Sequence, residues 1–549
     1  MFLGTPFVRF KGRLMFRIAV IADPHFHDTE WQPQGSDLKR ACRSYQDTAN
    51  STRVFNESAP ALRAALDKAV SEGAKLVIIP GDLTDDGQRH NIEAALAMLR
   101  DYASRFDLRY FATPGNHDFY ALHGRPQRKE FIGNDGARIV LDSAPVEAGD
   151  GALSIAEMAT IGTEEALRLM PDLGFMPDVR DIYWETPFGL NPDYASRYHV
   201  VRSVDDAREC ALLDASYLVE PVEGLWILSL DVNICVPKKD ATDFSDPSSF
   251  IDPTNGGWPT LLQSRPYLLT WMQDVARRAQ EQGKTLIAFS HYPALDPLAG
   301  TAVKERALFG SVGLARRDPG ADVAQKFTAT GVGFHLSGHL HVNDTAYFHD
   351  GVQGFYNIAV PSTVGFAPAM KMLELDGVKV HMRTLSLADA SGFDVAFSAY
   401  HREAAKLGEP LNQAAEAPDF GTFMDRHLCD LVEARYFPRE WPQDMRAFVE
   451  TNSFAGLAHL LWGQSKNFRG DDLPLMVFCQ DWYRLRKAAD LAFAFIPPSR
   501  MALYQSWMTQ AATIDDAPLA QKFKMVLEIM QAYSERLPTR DCVLDLSRI

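Results

Sequence analysis

The chain has 549 residues, 46% hydrophobic, 11% aromatic and 23% charged. This suits a soluble globular protein of two or more domains with a sizeable core. Its formal net charge of −16 disfavours a long nucleic acid or an anionic membrane surface as the main partner. The six cysteines are scattered, with no CxxC pair. They read as reduced thiols and predict a cytoplasmic protein with no disulfide framework. No apolar stretch approaches the ~20 residues that span a bilayer.

Met15 directly precedes the first strand signal, so residues 1–14 read as an N-terminal extension, or the true start is Met15. "FRIAVIAD" is a buried strand ending in an acid, Asp23. "PALRAALDKAVSEG" is amphipathic, with Pro early and Gly at its end, as a helix requires. Strand "AKLVIIPGD", helix "NIEAALAMLRDYASRF" and strand "LRYFATPGNHD" follow. Tyr120–Val200, rich in Gly, Pro and aromatic residues, interrupts the pattern. "GLWILSLD" resumes it before a second turn-rich interruption, Val236–Arg265. Uninterrupted loops of this length are usually functional or disordered.

Next come helix "RPYLLTWMQDVARRAQEQG", strand "KTLIAFSHYP", helix "DVAQKFTAT" and strand "GVGFHLSGHLH". "GFYNIAVPST" and "MKMLELDGVKVHMRTL" read as strands with hairpin character. From about Ala388 the strand signal fades and the remainder reads as amphipathic helices. The expected domains are therefore 15–387, an α/β unit, and 388–549, mainly helical. The helical part reads as a structural buttress or dimer surface, or as a cap that narrows the cleft, on which Tyr436, Trp441, Trp482 and Tyr483 stack against a base.

The strands end in polar clusters. Ligands of open α/β sheets bind beyond the carboxyl ends of strands. Five short motifs lie at such ends: "DPHFH", "GDLTDD", "GNHD", "FSHYP" and "GHLH". Singly each has a bland reading, since GDxxD and GNHD favour turns and a lone histidine is usually structural. In "GHLH", alternation on an extended segment puts His339 and His341 on one side. Together the motifs supply Asp23, His25, Asp82, Asn116, His291, His339 and His341, a mixed oxygen and nitrogen set. Such a set suits transition metals better than magnesium or calcium. Seven ligands exceed one tetrahedral site, but two ions sharing a carboxylate would use them all.

In these five motifs the chain resembles the calcineurin-like metallophosphoesterase superfamily. The resemblance implies a four-layer αββα sandwich with the site at its edge, here with a helical C-terminal extension. It implies two divalent transition-metal ions, manganese, iron or zinc. Asp23, His25 and His341 would hold one; Asn116, His291 and His339 the other; Asp82 would bridge. A hydroxide between the ions would be the nucleophile. His117 would protonate the leaving alkoxide, with Asp85 orienting it and favouring imidazolium, and Asn116 and His117 would contact the substrate. His27 reads as a residue behind the ligands or at the surface, with a metal or substrate contact as the alternative; Asp28, Asp86 and Asp118 read as loop residues or as supports behind the ligands.

Protein Ser/Thr phosphatases of the superfamily carry arginine after the second acid of GDxxD and Glu after GNH. Here Asp86 and Asp118 stand there, which removes the expected cationic clamp for a phosphomonoester. "GDLTDDG" with "GNHD" looks more like the class III cyclic-nucleotide phosphodiesterases and their bacterial relatives, which the segment "NSTRVFNESAP" and the helical extension also resemble. The expected substrate is a cyclic nucleotide or other small phosphodiester. Phosphomonoesters and small-nucleotide or nucleic-acid cleavage are the enzymatic alternatives. A non-enzymatic scaffold is disfavoured because no ligand position is degraded.

Overall fold

A computed structural model describes residues 8–10, 13–147, 149–376, 378–463 and 470–546. Most of the N-terminal extension read from the sequence lies outside them. Two mixed sheets form the centre. The first runs in the order Asp541–Asp545, Lys379–Ser386, Ala369–Asp376, Arg13–Val20, Leu76–Ile79, Arg109–Ala112. Its last three strands are parallel to one another. Val8–Phe10 pairs with the start of Arg13–Val20. The second sheet runs Asp344–His349, Gly354–Ala359, Phe334–Ser337, Thr285–Ser290, Leu225–Leu230, Tyr217–Val222, Tyr183–Glu185. Its four strands from Gly354–Ala359 to Leu225–Leu230 are parallel.

Side-chain alternation explains how the sheets stack. In Leu225–Leu230, Leu225 and Ile227 join a core shared with Ile18, Val20, Ile79 and Met372 of the first sheet. Trp226 and Leu228 face the other way, against Leu268, Met272 and Val275 of helix Tyr267–Glu281. On the first sheet's outer side, helices Ser58–Ser71 and Arg89–Phe106 bury Leu62, Leu66, Ile92 and Leu96. Helix, sheet, sheet and helix thus form four layers, the expected α/β architecture.

The region expected to be loop over 120–200 contains more pairing than its composition reveals. Arg128–Ile132, Arg138–Asp142 and Leu153–Ser154 form a small sheet, and Tyr183–Glu185 adds to the second large sheet. The pairing of Tyr183–Glu185 with Tyr217–Val222 is non-local in sequence, so short-range patterning misses it.

From Phe397 onward the chain is mainly helical. Its core is continuous with the α/β part: Val54, Leu298, Leu340 and Phe366 pack in one cluster with Phe423, Leu428, Trp482 and Phe523. The last strand, Asp541–Asp545, returns to pair with Lys379–Ser386 at the edge of the first sheet. All six cysteines are unpaired. Among the described residues no helix is long and apolar enough to cross a membrane.

Candidate binuclear metal centre

Each motif begins where a strand ends. Asp23 follows Arg13–Val20, Asp82 follows Leu76–Ile79, Asn116 follows Arg109–Ala112, His291 follows Thr285–Ser290 and His339 follows Phe334–Ser337. The backbone there is unusual. Asp23, His25, Asp82, His339 and His341 have φ between 42° and 71°, a region that L-residues with Cβ atoms avoid. Five candidate ligands thus sit in the left-handed region, where strain collects at functional sites. The motif glycines make room for the carboxylates. A Cβ on Gly338 would come within 2.6 Å of Asp23 Oδ2, and one on Gly115 would collide with the Asp82 carboxylate.

The ligand atoms converge in two groups. Asp23, His25 and His341 form one, and Asp82, His291 and His339 the other, with ligand atoms of each group within 4.8 Å of one another. His25 Nε2 lies 3.0 Å from His341 Nε2, and His291 Nε2 lies 3.1 Å from His339 Nδ1. The groups meet at Asp82, whose Oδ2 is 3.5 Å from His25 Nε2 and 3.2 Å from His291 Nε2. Asn116 Oδ1 joins the second group, 3.1 Å from His291 Nε2. All seven residues read from the motifs are therefore neighbours.

Their outward atoms are tied down. His291 Nδ1 faces Pro80 O at 2.8 Å, His341 Nδ1 faces Thr52 O at 3.3 Å and His339 Nε2 faces Thr254 O at 3.0 Å. Such outer contacts orient ligating imidazoles. The His339 backbone N–H donates to Asp23 Oδ1 at 2.8 Å, while the buried Asp23 Oδ2 has no partner.

The electrostatics fit a cation. Burial pushes the Asp23 carboxyl up to about 8, with His291 opposing and Asp82 adding to the rise. Burial holds His25, His339 and His341 well below the ordinary imidazole range, with the Arg53 charge next at His25, Arg317 at His339 and Lys487 at His341. Neutral imidazoles and an orphan buried carboxylate oxygen are what a divalent metal takes as ligands. The residues therefore fit two divalent metal ions.

His117 stands beside this centre, its ring centroid 5.0 Å from that of His25. Its backbone N–H donates to Asp82 Oδ1 at 2.8 Å. The expected partner of its side chain is corrected. Asp86 Oδ1, not Asp85, lies 2.6 Å from His117 Nδ1. Asp85 is fully buried among cations: Lys129 Nζ at 2.5 Å, Arg53 Nη2 at 2.8 Å and Arg43 Nη1 at 3.3 Å. Lys129 Nζ also reaches Asp86 Oδ2 at 2.5 Å. Adjacent residues in a turn face different ways, and packing assigned the imidazole to the second.

Asp118 closes the GNHD turn, accepting from Gly115 N at 2.8 Å and Thr84 N at 3.1 Å. His27 is buried, with Nε2 2.7 Å from Ala41 O, and is in neither ligand group. Asp28 accepts from Glu30 N in a loop. Trp441, Trp482 and Tyr483 are core residues with no surface for a base, which corrects their reading as stacking platforms. Tyr436 is buried in the same core, and it also borders a small cavity with Thr52, His341 and Lys487.

Several residues at the site escaped the sequence reading. Thr254 comes from the second long interruption; its Oγ1 lies 3.3 Å from Asn116 Nδ2. Lys129 comes from the first. Arg53 comes from "NSTRVFNESAP", with Nη2 3.3 Å from His117 Nδ1. Lys487, from the helical region, donates to Leu340 O at 2.9 Å, between the two histidines of GHLH. The length of the two interruptions hints at such roles for Thr254 and Lys129, and the resemblance singles out the segment that carries Arg53 but not the residue; nothing in the sequence points to Lys487.

Residues 16–187 match the family model described as calcineurin-like phosphoesterase. The match spans Asp23 to Asp118, while His291, His339 and His341 lie beyond it. Residues 16–187 thus carry a calcineurin-like phosphoesterase domain, and the two ligand groups support metal-dependent phosphoester hydrolysis. Comparison with curated proteins gives no match. Among solved structures, a dimetal phosphatase from Danio rerio is similar at 15% identity and a TM-score of 0.31, covering 68% of this chain and 96% of that one. GAP50, the anchor in the inner membrane complex of Plasmodium, is similar at 12% identity and a TM-score of 0.27, covering 69% and 86%.

Proposed function

We propose that the protein hydrolyses small phosphodiesters, a cyclic nucleotide among them, with two divalent transition-metal ions. The observation that carries this reading is the pair of ligand groups meeting at Asp82 Oδ2 beside His117. Asp23, His25 and His341 would hold one ion and Asn116, His291 and His339 the other, with Asp82 shared. Manganese, iron and zinc all suit this donor set. When bound, such ions supply the positive charge that acidifies water and withdraws charge from phosphoryl oxygens.

The chain's own residues do the rest. His117 donates a proton from Nε2 to the departing oxygen, and Asp86 holds Nδ1 so that the other nitrogen meets the substrate. Asn116 and His117 contact the ester. Charge balance favours a diester. Around the acid, Arg43, Arg53 and Lys129 are offset by Asp47, Asp85 and Asp86, so these side chains add little net positive charge. A diester monoanion needs less compensation than a monoester dianion.

A panel assay with manganese tests this. Bis(4-nitrophenyl) phosphate and a 2′,3′- or 3′,5′-cyclic nucleotide should be cleaved faster than 4-nitrophenyl phosphate. The reverse order would replace the diesterase with a phosphomonoesterase. Faster cleavage of long single strands than of dinucleotides would make it a nuclease. Metal-loaded protein inert to every ester would leave a non-enzymatic scaffold.

A further inference from the structure

We propose that Arg53 grips a non-bridging phosphoryl oxygen of the bound ester, and that the C-terminal helices serve the reaction by holding Arg53 in place. The inference rests on the phosphoester reading. Arg53 Nε and Nη2 both donate to Asp85 Oδ1, at 3.1 and 2.8 Å, and Nη2 also reaches Asp85 O at 3.0 Å. One edge of the fork is thus fixed on a carboxylate that Lys129 and Arg43 already contact. Among the described residues Nη1 makes no hydrogen bond. A planar fork pinned along one edge is pre-organised to offer its remaining N–H groups to a tetrahedral anion.

The position is that of a reacting group's neighbour. Arg53 Nη2 lies 3.3 Å from His117 Nδ1, and the preceding residue, Thr52, places its carbonyl 3.3 Å from His341 Nδ1. Two consecutive residues of one loop therefore touch the acid and a ligand of the metal centre. Asp85 balances the charge of Arg53, so the guanidinium brings directed N–H groups to the site rather than the net positive charge a monoester dianion would need, although no cation follows Asp85 in the sequence. Arg53 reaches the site from 32 residues upstream of that acid.

The loop owes its course to the helical region. His427 Nε2 lies 2.9 Å from Thr48 O, and Arg435 Nη1 donates to Asn50 O at 2.9 Å. Tyr400 Oη accepts from Asn56 Nδ2 at 2.8 Å and donates to Glu57 Oε1 at 2.9 Å. These three side chains grip residues 48–57 on both sides of Arg53. The helical region contributes none of the seven ligands, yet through this loop it reaches the substrate side of the site.

Calorimetric titration of inorganic phosphate into the full-length, manganese-loaded protein reads the clamp without turnover. Arg53→Met should weaken phosphate binding roughly ten- to a hundredfold, the range of one charged hydrogen bond, with metal content unchanged. Arg53→Lys keeps the charge without the fork and should fall between the two. Tyr400→Phe and His427→Gln should each weaken phosphate binding, and neither should weaken it further in an Arg53→Met background, because their effect passes through Arg53. Wild-type affinity in metal-replete Arg53→Met would overturn the clamp. So would failure of the wild type to bind phosphate. If Arg53→Met does not fold, wild-type affinity in Arg53→Lys overturns it instead. Equal losses from Tyr400→Phe in both backgrounds would overturn the positioning role. Protein that binds phosphate through Arg53 but cleaves no ester would sink the hydrolase reading and leave the clamp standing.

Discussion

Asp85 and Asp86 are neighbours in sequence with separate tasks, and substitution distinguishes them. Asp85→Asn leaves Arg43, Arg53 and Lys129 facing a neutral amide in a buried place. Breaking such a buried network typically costs roughly 3–5 kcal/mol, so the variant should melt well below the wild type. Asp86→Asn should fold and retain metal but lose the hold on His117. His117→Ala should slow esters with alkoxide leaving groups roughly 10²–10⁴-fold and a nitrophenyl ester much less. Asp86→Asn should show a smaller loss with the same leaving-group selectivity. Equal losses on both ester types would remove His117 and Asp86 from proton delivery.

A second residue-scale prediction concerns Glu57 beneath the Arg53 loop. Burial pushes its carboxyl up to about 7, with the Tyr400 hydroxyl opposing, and its Oε2 has no partner. The folded protein then holds this proton where the unfolded chain, near its ordinary value of 4.5, has released it. Stability from this group is full below that ordinary value and is lost as pH rises through about 7. Glu57→Gln cannot ionise. Relative to the wild type it should gain stability between pH 5 and pH 8, on the order of 3 kcal/mol if nothing else titrates. Urea denaturation at the two pH values checks this, and a constant difference would refute it.

At the scale of elements, the sequence was most legible where a residue's role is local. A strand ending in an acid or a histidine fixes that side chain at a sheet edge, so Asp23, Asp82, Asn116, His291 and His339 could be read from short windows. The choice of Asp86 over Asp85 for His117, and the arrival of Arg53, Lys129 and Thr254, depend on how distant segments pack. No spacing rule reports that. The C-terminal helices were legible from their apolar periodicity, but their closeness to the site was not. Their shared core with Val54, Leu340 and Phe366 and the return of Asp541–Asp545 to the first sheet favour the buttress over a detachable cap. A chain ended at residue 387 should therefore be insoluble or melt at much lower temperature. A soluble truncate with wild-type phosphate affinity would contradict this account of the helices.

For the whole molecule, both sheets and both long interruptions converge on the meeting point of two ligand groups. The first sheet supplies Asp23, His25, Asp82 and Asn116, and the second supplies His291, His339 and His341. Neither half of the sandwich holds a complete centre, so metal binding should stabilise the packing of the two sheets against each other. Asp82→Ala, which removes the shared carboxylate, should lose both ions. The most direct measurement is a manganese titration of metal-free protein, following bound metal and hydrolysis of bis(4-nitrophenyl) phosphate together. Activity should rise to a plateau at about two ions per chain, as a two-metal site requires. Full activity at one ion, or two tightly bound ions with no hydrolysis, would contradict it.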